Sequence, residues 1–166
     1  MEMNEKMPGI VHVRIDDRLL HGQVCAFWTN TLKLTRIMVA NDEVAVDELQ
    51  KQVLRMAAPS GVRTSIIPLQ KAATQILEGK YAGQRVLVII KNPGDALKLI
   101  EMGLPIQHIN VGNMANRPNT THYKKSISLT DEEYNQIMKL HEMGIELDAQ
   151  MTPEEHYSDL MSYLKK

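Results

Sequence analysis

Titratable side chains and a glycine are concentrated in one short segment, residues 14–24, which reads RIDDRLLHGQV. The segment lies where an apolar run gives way to an amphipathic stretch, so we expect a loop between a β-strand and an α-helix. Positive charge disfavours protonation of an imidazole, and the neutral ring of His21 would be a nucleophile. The backbone amides at Gly22 and Gln23 would bind an anion at the helix start. The segment therefore predicts a site that holds a phosphoryl group on a histidine nitrogen.

The charged residues of this segment have distinct expected roles. Arg14 and Arg18 are expected to donate charge-assisted hydrogen bonds to phosphoryl oxygens. Asp16 or Asp17 is expected to orient the ring of His21 or to position an arginine. The predicted mechanism is covalent transfer through a phosphohistidine, and it depends on positioning and charge stabilisation without a metal or another cofactor.

Composition narrows the class of protein. The 166 residues suit one domain, and 43% hydrophobic with 23% charged residues is ordinary for a globular protein. A net charge of −1 and 4% aromatic residues argue against nucleic acid as a partner. Cys25 is the single cysteine, which excludes a disulfide framework and a thiolate metal cluster. Without a signal peptide or a bilayer-length apolar run, a cytoplasmic protein is expected.

Short apolar or β-branched runs alternate with longer amphipathic stretches. The predicted strands are Ile10–Ile15, Arg36–Val39, Val62–Ile67, Val86–Ile90 and His108–Val111. The predicted helices are Gly22–Leu32, Glu43–Ala57, Leu69–Leu77 and Gly94–Met102. This alternation predicts an α/β fold with an open, mainly parallel sheet and helices on both faces. The loop after the first strand is a candidate for the topological switch point, where such sheets bind ligands.

The last third of the chain adds two predicted strands, Ser126–Leu129 and Ile145–Ala149. Helices are expected to begin at Thr130, which opens a capping-box pattern, and at Thr152, which precedes a proline. No repeat or linker is visible. We therefore expect one domain over residues 9–166, after an N-terminal tail over residues 1–8.

Other segments are weaker candidates for the site. Gly112 and Asn113 follow the fifth predicted strand and are possible lining of the same cleft. Asp42 is expected either to face the cleft or to cap the second helix, in which Val46, Leu49, Val53 and Met56 share one stripe. The remaining histidines at positions 108, 122, 141 and 156 are expected to be structural or exposed, and residues 122–125 to form a solvated loop.

Residues 14–24 resemble the signature of the IIB components of the mannose–fructose–sorbose family of bacterial sugar phosphotransferase systems. The one visible departure of this chain from that signature is Leu20, where the family has isoleucine. Val39–Ala45, Ile109–Met114 and Gly144–Pro153 also resemble segments of that family. Many members have two glycines where this chain has Gly112 and Asn113. The asparagine version resembles branches that handle N-acetylgalactosamine and related sugars.

This resemblance implies that His21 is phosphorylated on Nδ1 and that Arg18 helps to neutralise the phosphoryl group. It implies a sugar phosphotransferase component that accepts phosphate from a IIA protein. The acceptor would be a sugar bound by the membrane IIC and IID components, with this chain in the cytoplasm at the permease. The chain begins directly with the IIB strand, so we expect the IIA donor to be a separate polypeptide.

Two other classes of function stay open at this level. A metal-dependent hydrolase would use Asp16, Asp17, His21 and Asp42 as ligands, because carboxylates and imidazole suit several divalent ions. A non-catalytic regulator would bind a sugar or a phosphate at the same loop without covalent transfer.

Overall fold

The computed structural model describes residues 6–164. This part of the chain contains eight strands and the helices between them. The strands are β1 Ile10–Asp16, β2 Arg36–Ala40, β3 Arg63–Ile67, β4 Val86–Ile90, β5 His108–Asn113, β6 Thr121–Lys124, β7 Ile127–Leu129 and β8 Glu146–Asp148. Six of them form one sheet in the order β3-β2-β4-β1-β5-β8. All neighbours in this sheet are parallel, whereas β6 and β7 form a separate antiparallel pair.

Helices connect the strands. They are α1 Gly22–Leu32, α2 Glu48–Ala57, α3 Leu69–Leu77, α4 Pro93–Glu101, α5 Asp131–Glu142 and α6 Met161–Leu164. The predicted capping box is confirmed at α5, where the side chains of Thr130 and Glu133 accept from each other's backbone amides. No helix within residues 6–164 is long and apolar enough to cross a bilayer.

The sheet separates two apolar layers. Strand β4 is buried along its whole length, as an apolar strand covered on both faces should be. Its Leu87 and Ile89 pack in one layer with Val24 and Trp28 of α1. Its Val88 and the other alternate residues belong to the opposite layer, which includes apolar residues of α3, α4 and α5. The predicted α/β architecture is confirmed.

The strand order places the loop after β1 at a switch point. From β1 the chain passes through α1 to β2 on one side, whereas from β5 it continues to β8 on the other side. Strands β1 and β5 are neighbours, so the loops that leave their carboxyl ends diverge and open a crevice. The expected position of residues 16–22 is confirmed.

The region predicted as one helix over Glu43–Ala57 is different in the structure. It begins with a 3₁₀ turn at Val44–Val46, and α2 then starts at Glu48. The N-cap is Asp47, whose side chain accepts a hydrogen bond from the amide of Gln50 at 3.1 Å. The prediction that Asp42 caps this helix is wrong, because its carboxylate accepts from the amide of Leu69 at the start of α3.

The predicted helix start at Thr152 is also wrong. Residues 151–155 form bends and turns, and the last helix begins only at Met161. The side chain of Gln150 donates to the carbonyl groups of Pro153 and Glu155, which holds this segment as a folded loop.

The structure also differs from what we expected for residues 122–125 and for the N-terminal tail. Residues 122–124, predicted as part of a solvated loop, belong to strand β6. Of the predicted tail, residues 1–5 lie outside the described part of the chain, while Met7 is buried in the core.

Candidate functional site

The loop between β1 and α1 is braced by its own hydrogen bonds. The amide of Leu19 donates to the carbonyl oxygen of Asp16 at 2.9 Å, which closes a tight turn. Leu19 has φ of 61°, a left-handed conformation that costs a non-glycine residue about 1–2 kcal/mol. Its side chain and that of Leu20 are buried in the apolar layer beneath α1, and this burial offsets the strain.

The carboxylate of Asp16 is the centre of the loop. Arg18 donates to it twice from its guanidinium, with Nε to Oδ1 at 3.0 Å and Nη2 to Oδ2 at 2.8 Å, and once from its backbone amide. Arg14 Nη2 also donates to Oδ2, at 3.0 Å. Because Asp16 is 1% exposed and Arg18 is 29% exposed, a buried acid fixes the position of a guanidinium that reaches solvent.

Arg14 lies below the loop, away from solvent. It is 1% exposed, and its Nη1 atom donates to Asn110 Oδ1 at 2.7 Å. Asn110 in turn donates to Asp148 Oδ1 at 2.6 Å. Burial lowers the pKa of Arg14 while the charge of Asp16 opposes the shift, and an arginine stays protonated. Its observed contacts therefore hold Asp16, whereas we expected contact with phosphoryl oxygens.

Gly112 is buried against Arg14. A Cβ atom at this position would overlap the guanidinium group, so the approach of β5 to β1 requires glycine. Gly112 thus makes room for Arg14, whereas the sequence suggested that it lines an open cleft.

Asp17 joins the two loops at the switch point. Its Oδ1 accepts from Asn113 Nδ2 at 2.8 Å, and its Oδ2 accepts from the amide of Ala115 at 2.7 Å. The Asp17 amide donates to the Asn113 carbonyl at 3.0 Å. Asn113, predicted as cleft lining, therefore ties the loop after β5 to the loop after β1.

His21 is the N-cap residue of α1, and its side chain caps no backbone amide. The first turn of α1 contains no acidic residue either. By contrast, Asp47, Asn92 and Thr130 supply side-chain caps to α2, α4 and α5. The amides at the start of α1, next to the imidazole, are thus left for an anion.

One ring nitrogen of His21 is unpaired. Its Nδ1 atom is buried and has no hydrogen-bond partner among residues 6–164. Neither Asp16 nor Asp17 binds Nδ1, and the expectation that one of them orients the ring through its second nitrogen stays a prediction. The alternative expectation, that one of them positions an arginine, is confirmed for Asp16.

A competing nucleophile lies one turn into α1. The amide of Cys25 donates to the carbonyl oxygen of His21 at 2.9 Å, and the thiol is buried. Burial raises the pKa of Cys25 to about 11, so the thiol is neutral near pH 7. Of these two side chains, the imidazole is the better nucleophile.

The remaining candidate, Asp42, is exposed and lies elsewhere on the carboxyl edge. It borders a cleft of about 510 Å³ together with Asn92, Asp95 and Lys98. This cleft includes no residue of the His21 loop, so the expectation that Asp42 lines the cleft at His21 is wrong, and its carboxylate instead binds the first amide of α3.

The geometry disfavours metal binding by the side chains that a metal-dependent hydrolase would use as ligands. Two guanidinium groups occupy the carboxylate of Asp16, and two N–H donors occupy that of Asp17. Positive charge at this distance opposes a divalent cation. Among residues 6–164, no group of three or more histidine, cysteine and acidic side chains is arranged to hold a metal ion.

Some residues that build the site are not indicated by any pattern in the sequence. Asp148 supports Asn110 and lies 2.6 Å from Nε2 of His108, a histidine that has no close partner in sequence. Arg117 pairs with Glu133 at 2.9 Å and so joins the loop after β5 to the start of α5. The capping-box pattern located Glu133, but no sequence signal indicated its partner.

His12 belongs to the same polar face of β1. Both of its ring nitrogens are buried without a hydrogen-bond partner among residues 6–164, and its ring packs 4.6 Å from that of Trp28. Burial lowers the pKa of His12 to about 4, while Asp148 opposes the shift. The ring is therefore neutral near pH 7, next to the buried Arg14.

Comparison with known proteins places this geometry in a family. Residues 10–166 match the family model described as the PTS system sorbose subfamily IIB component. The fructose-specific EIIB component of Bacillus subtilis is 33% identical over 159 residues, which are 96% of this chain and 98% of that protein.

A longer relative and a solved structure agree with this match. The mannose-specific EIIAB component of Escherichia coli K12 is 38% identical over 156 residues, which are 92% of this chain but only 48% of that protein. The chain thus spans about half the length of this relative. The crystal structure of the IIBSor domain of the sorbose permease from Klebsiella pneumoniae has a TM-score of 0.87 at 32% identity, covering 93% of this chain and 95% of that one.

The contact between Gly112 and Arg14 predicts a large effect of one methyl group. We expect Gly112→Ala to lower the free energy of unfolding by about 2–4 kcal/mol, because the new Cβ displaces a buried guanidinium from its partners. Gly94→Ala is the matched control, since its nearest neighbour is the flexible end of Gln136 at 3.1 Å. Denaturant titration measures both variants, and equal effects would contradict the prediction.

The buried ring of His12 predicts a pH-dependent stability. Between its unfolded pKa near 6.5 and its folded pKa of about 4, only the unfolded state takes up a proton, so stability falls as the pH is lowered through this window. The expected loss is on the order of 3 kcal/mol at pH 4. His12→Phe should lack this component in denaturant titrations from pH 7 to pH 4. Parallel pH profiles for the two proteins would refute it.

Proposed function

The chain belongs to the sorbose subfamily of IIB components of the sugar phosphotransferase system, and on that premise we propose that it carries a phosphoryl group on His21. In this proposal residues 9–166 act as one IIB domain. The chain accepts the group from a phosphorylated IIA protein and passes it to a sugar bound by membrane IIC and IID components.

One arrangement carries the proposal. The imidazole of His21 lies at a helix start without a side-chain cap, in the same short loop as the partly exposed guanidinium of Arg18, which a buried carboxylate fixes. The amides of Gly22 and Gln23 supply the positive end of the helix dipole, and Arg18 supplies a full charge. These groups are complementary to a dianionic phosphoryl group bonded to a ring nitrogen.

Transfer requires a simple exchange of bonds. A neutral ring nitrogen of His21 attacks phosphorus, the bond from phosphorus to the donor's histidine nitrogen breaks, and the donor keeps the electron pair as a neutral imidazole. In the second step a sugar hydroxyl attacks, the bond to His21 breaks, and the hydroxyl proton is released. No metal or other cofactor enters this scheme.

The nitrogen that reacts is Nδ1 in this proposal. In the unphosphorylated structure Nδ1 of His21 faces the protein and has no hydrogen-bond partner among the described residues. Rotation of the ring about its side-chain torsions exposes Nδ1 without breaking a hydrogen bond there. The barrier to presenting this atom to a donor is therefore low.

The other charged residues act through Arg18 and through the loop. Asp16 positions Arg18, and Arg14 holds the carboxylate of Asp16 in place from below. Asp17 fixes the loop against Asn113 and Ala115. These three residues are positioning residues, and Arg18 and His21 are the groups expected to meet the phosphoryl oxygens.

Partners follow from the system to which the family belongs. The mannose relative carries the designation EIIAB and is about twice as long as the matched region, which supports a IIA unit as the phosphoryl donor. The acceptor complex is expected at the membrane, so this chain works at the cytoplasmic face of the permease without a span of its own in residues 6–164.

The sugar is chosen by those membrane components in this proposal. Asn113 suggested an amino sugar such as N-acetylgalactosamine, but its side chain binds Asp17 inside the loop. That contact explains the asparagine without reference to a sugar. Uptake assays with N-acetylgalactosamine, mannose, fructose and sorbose distinguish the substrates.

Phosphorylation of His21 is tested by reconstitution. The chain is incubated with phosphoenolpyruvate, the general phosphotransferase proteins and each candidate IIA protein of its host. We expect an acid-labile, base-stable label that is absent in His21→Ala and retained in His141→Ala, which removes an exposed histidine on α5. A label that persists in His21→Ala would refute the assignment. Unlabelled wild-type chain that still binds phosphate or sugar would favour the regulator instead.

The role of Arg18 predicts a loss of rate without a loss of fold. We expect Arg18→Ala to slow single-turnover transfer to His21 roughly 100-fold, because one fixed cation facing the transferred group is removed. Arg18→Lys should recover part of the rate, since it keeps the charge but not the paired hydrogen bonds to Asp16. Rapid-quench assays measure the rates of transfer, and denaturant titration checks the fold. An unchanged rate in Arg18→Ala would show that the arginine is structural.

A further inference from the structure

Large apolar side chains are exposed along α2 and in the 3₁₀ turn before it. Val46 of the turn and Leu49, Val53 and Met56 of α2 are 79%, 73%, 57% and 85% exposed, and we call them the α2 stripe. On the opposite side of the helix Leu54 is buried and anchors α2 in the core. Leu49, Val53 and Met56 share one face of α2 by their helical spacing, and an exposed apolar face in a folded protein indicates an interaction site.

The stripe ends next to the reactive loop. A Cβ atom on Gly22 would lie 2.8 Å from the carbonyl oxygen of Ala57, so the end of α2 contacts the start of α1 beside His21. Met56 directly precedes Ala57. Leu49 lies about 10 Å further along the helix, at about 1.5 Å per residue.

We propose that the α2 stripe is the docking surface for the IIA protein that donates the phosphoryl group to His21, an inference that rests on the function proposed above. Direct transfer brings the two histidines into contact, so the donor must cover the surface around His21. A standard interface buries about 800 Å² on each partner, equivalent to a disc with a radius of roughly 16 Å. Leu49, Val53 and Met56 extend over about 10 Å of α2 from its contact with the loop, which is less than this radius.

The position of the stripe excludes a permanent occupant. A second copy of this chain seated there would cover the surface beside His21 and obstruct both transfer steps. A partner that binds, transfers and leaves is compatible with both. The stripe is therefore assigned to a transient partner.

Charge favours the donor over the acceptor as that partner. The exposed Arg55 is adjacent to Met56 in the chain, whereas Lys51 pairs with Glu48 at 3.6 Å. The charge of Arg55 attracts a partner that arrives with a dianionic phosphoryl group. Once the group has passed to His21, the attraction is lost and the donor is released, whereas the membrane acceptor meets a chain that already carries the negative charge.

The test measures transfer from the IIA protein that labels the wild-type chain in the reconstitution above. We expect the double variant L49S/M56S to lower kcat/KM for this transfer at least roughly tenfold, mainly through a higher KM, because large apolar side chains near the centre of an interface contribute most of its affinity. Leu77→Ser is the matched control, since Leu77 is 49% exposed on α3. This variant should transfer at the wild-type rate.

A small phosphoryl donor separates docking from chemistry. Phosphoramidate should label His21 equally in the wild type and in L49S/M56S, because it needs no docking surface. Equal transfer from the IIA protein to both would overturn the docking proposal while leaving the proposed function intact. Labelling of His21 by neither donor would instead overturn the proposed function. A wild-type dimer in sedimentation that L49S/M56S dissociates, with transfer unchanged, would assign the stripe to a second copy and also overturn the proposal.

Discussion

The carboxylate of Asp16, held between two guanidinium groups, is the interaction on which the site depends. A buried carboxylate is costly unless it is paired and hydrogen-bonded, and Arg14 and Arg18 together with a backbone amide satisfy both of its oxygens. One arginine is buried and the other reaches solvent. The network therefore fixes the guanidinium of Arg18 relative to the sheet. The part of this group that faces solvent stays available to bind a phosphoryl group.

The fold contributes to this network through the pairing of β1 with β5. In that register Arg14 lies opposite Asn110 and Asp16 opposite Asn113. The amide of Asn110 therefore reaches the buried guanidinium, and the absence of a side chain at Gly112 leaves room for it. Strand β8 adds Asp148 behind Asn110. A reactive loop at a switch point is thus held by polar residues from three neighbouring strands.

Much of this arrangement follows from the sequence, and the part that does not has a common physical cause. Alternating strands and helices predicted the fold, and the strand-to-helix junction located His21. In a β-strand His12, Arg14 and Asp16 share one face because side chains alternate, but this alternation does not indicate that α1 covers that face. Asn110, which binds the guanidinium of Arg14, and Asp148, which supports Asn110, lie on strands distant in the chain, so no local pattern identifies them. The cap at Asp42 failed for a similar reason, since a carboxylate satisfies any nearby helix start.

The α2 stripe shows what periodicity leaves open. A helical repeat of apolar residues tells which side chains share a face, but not whether the chain itself covers that face. In α2 the buried contact is made by Leu54, and the regular stripe faces solvent. A phosphoryl relay has opposed requirements, because its histidine must be held in place and yet be reached by two partners in turn. The ion network fixes the loop from the side of the sheet, which leaves the outer surface free to bind and release a partner.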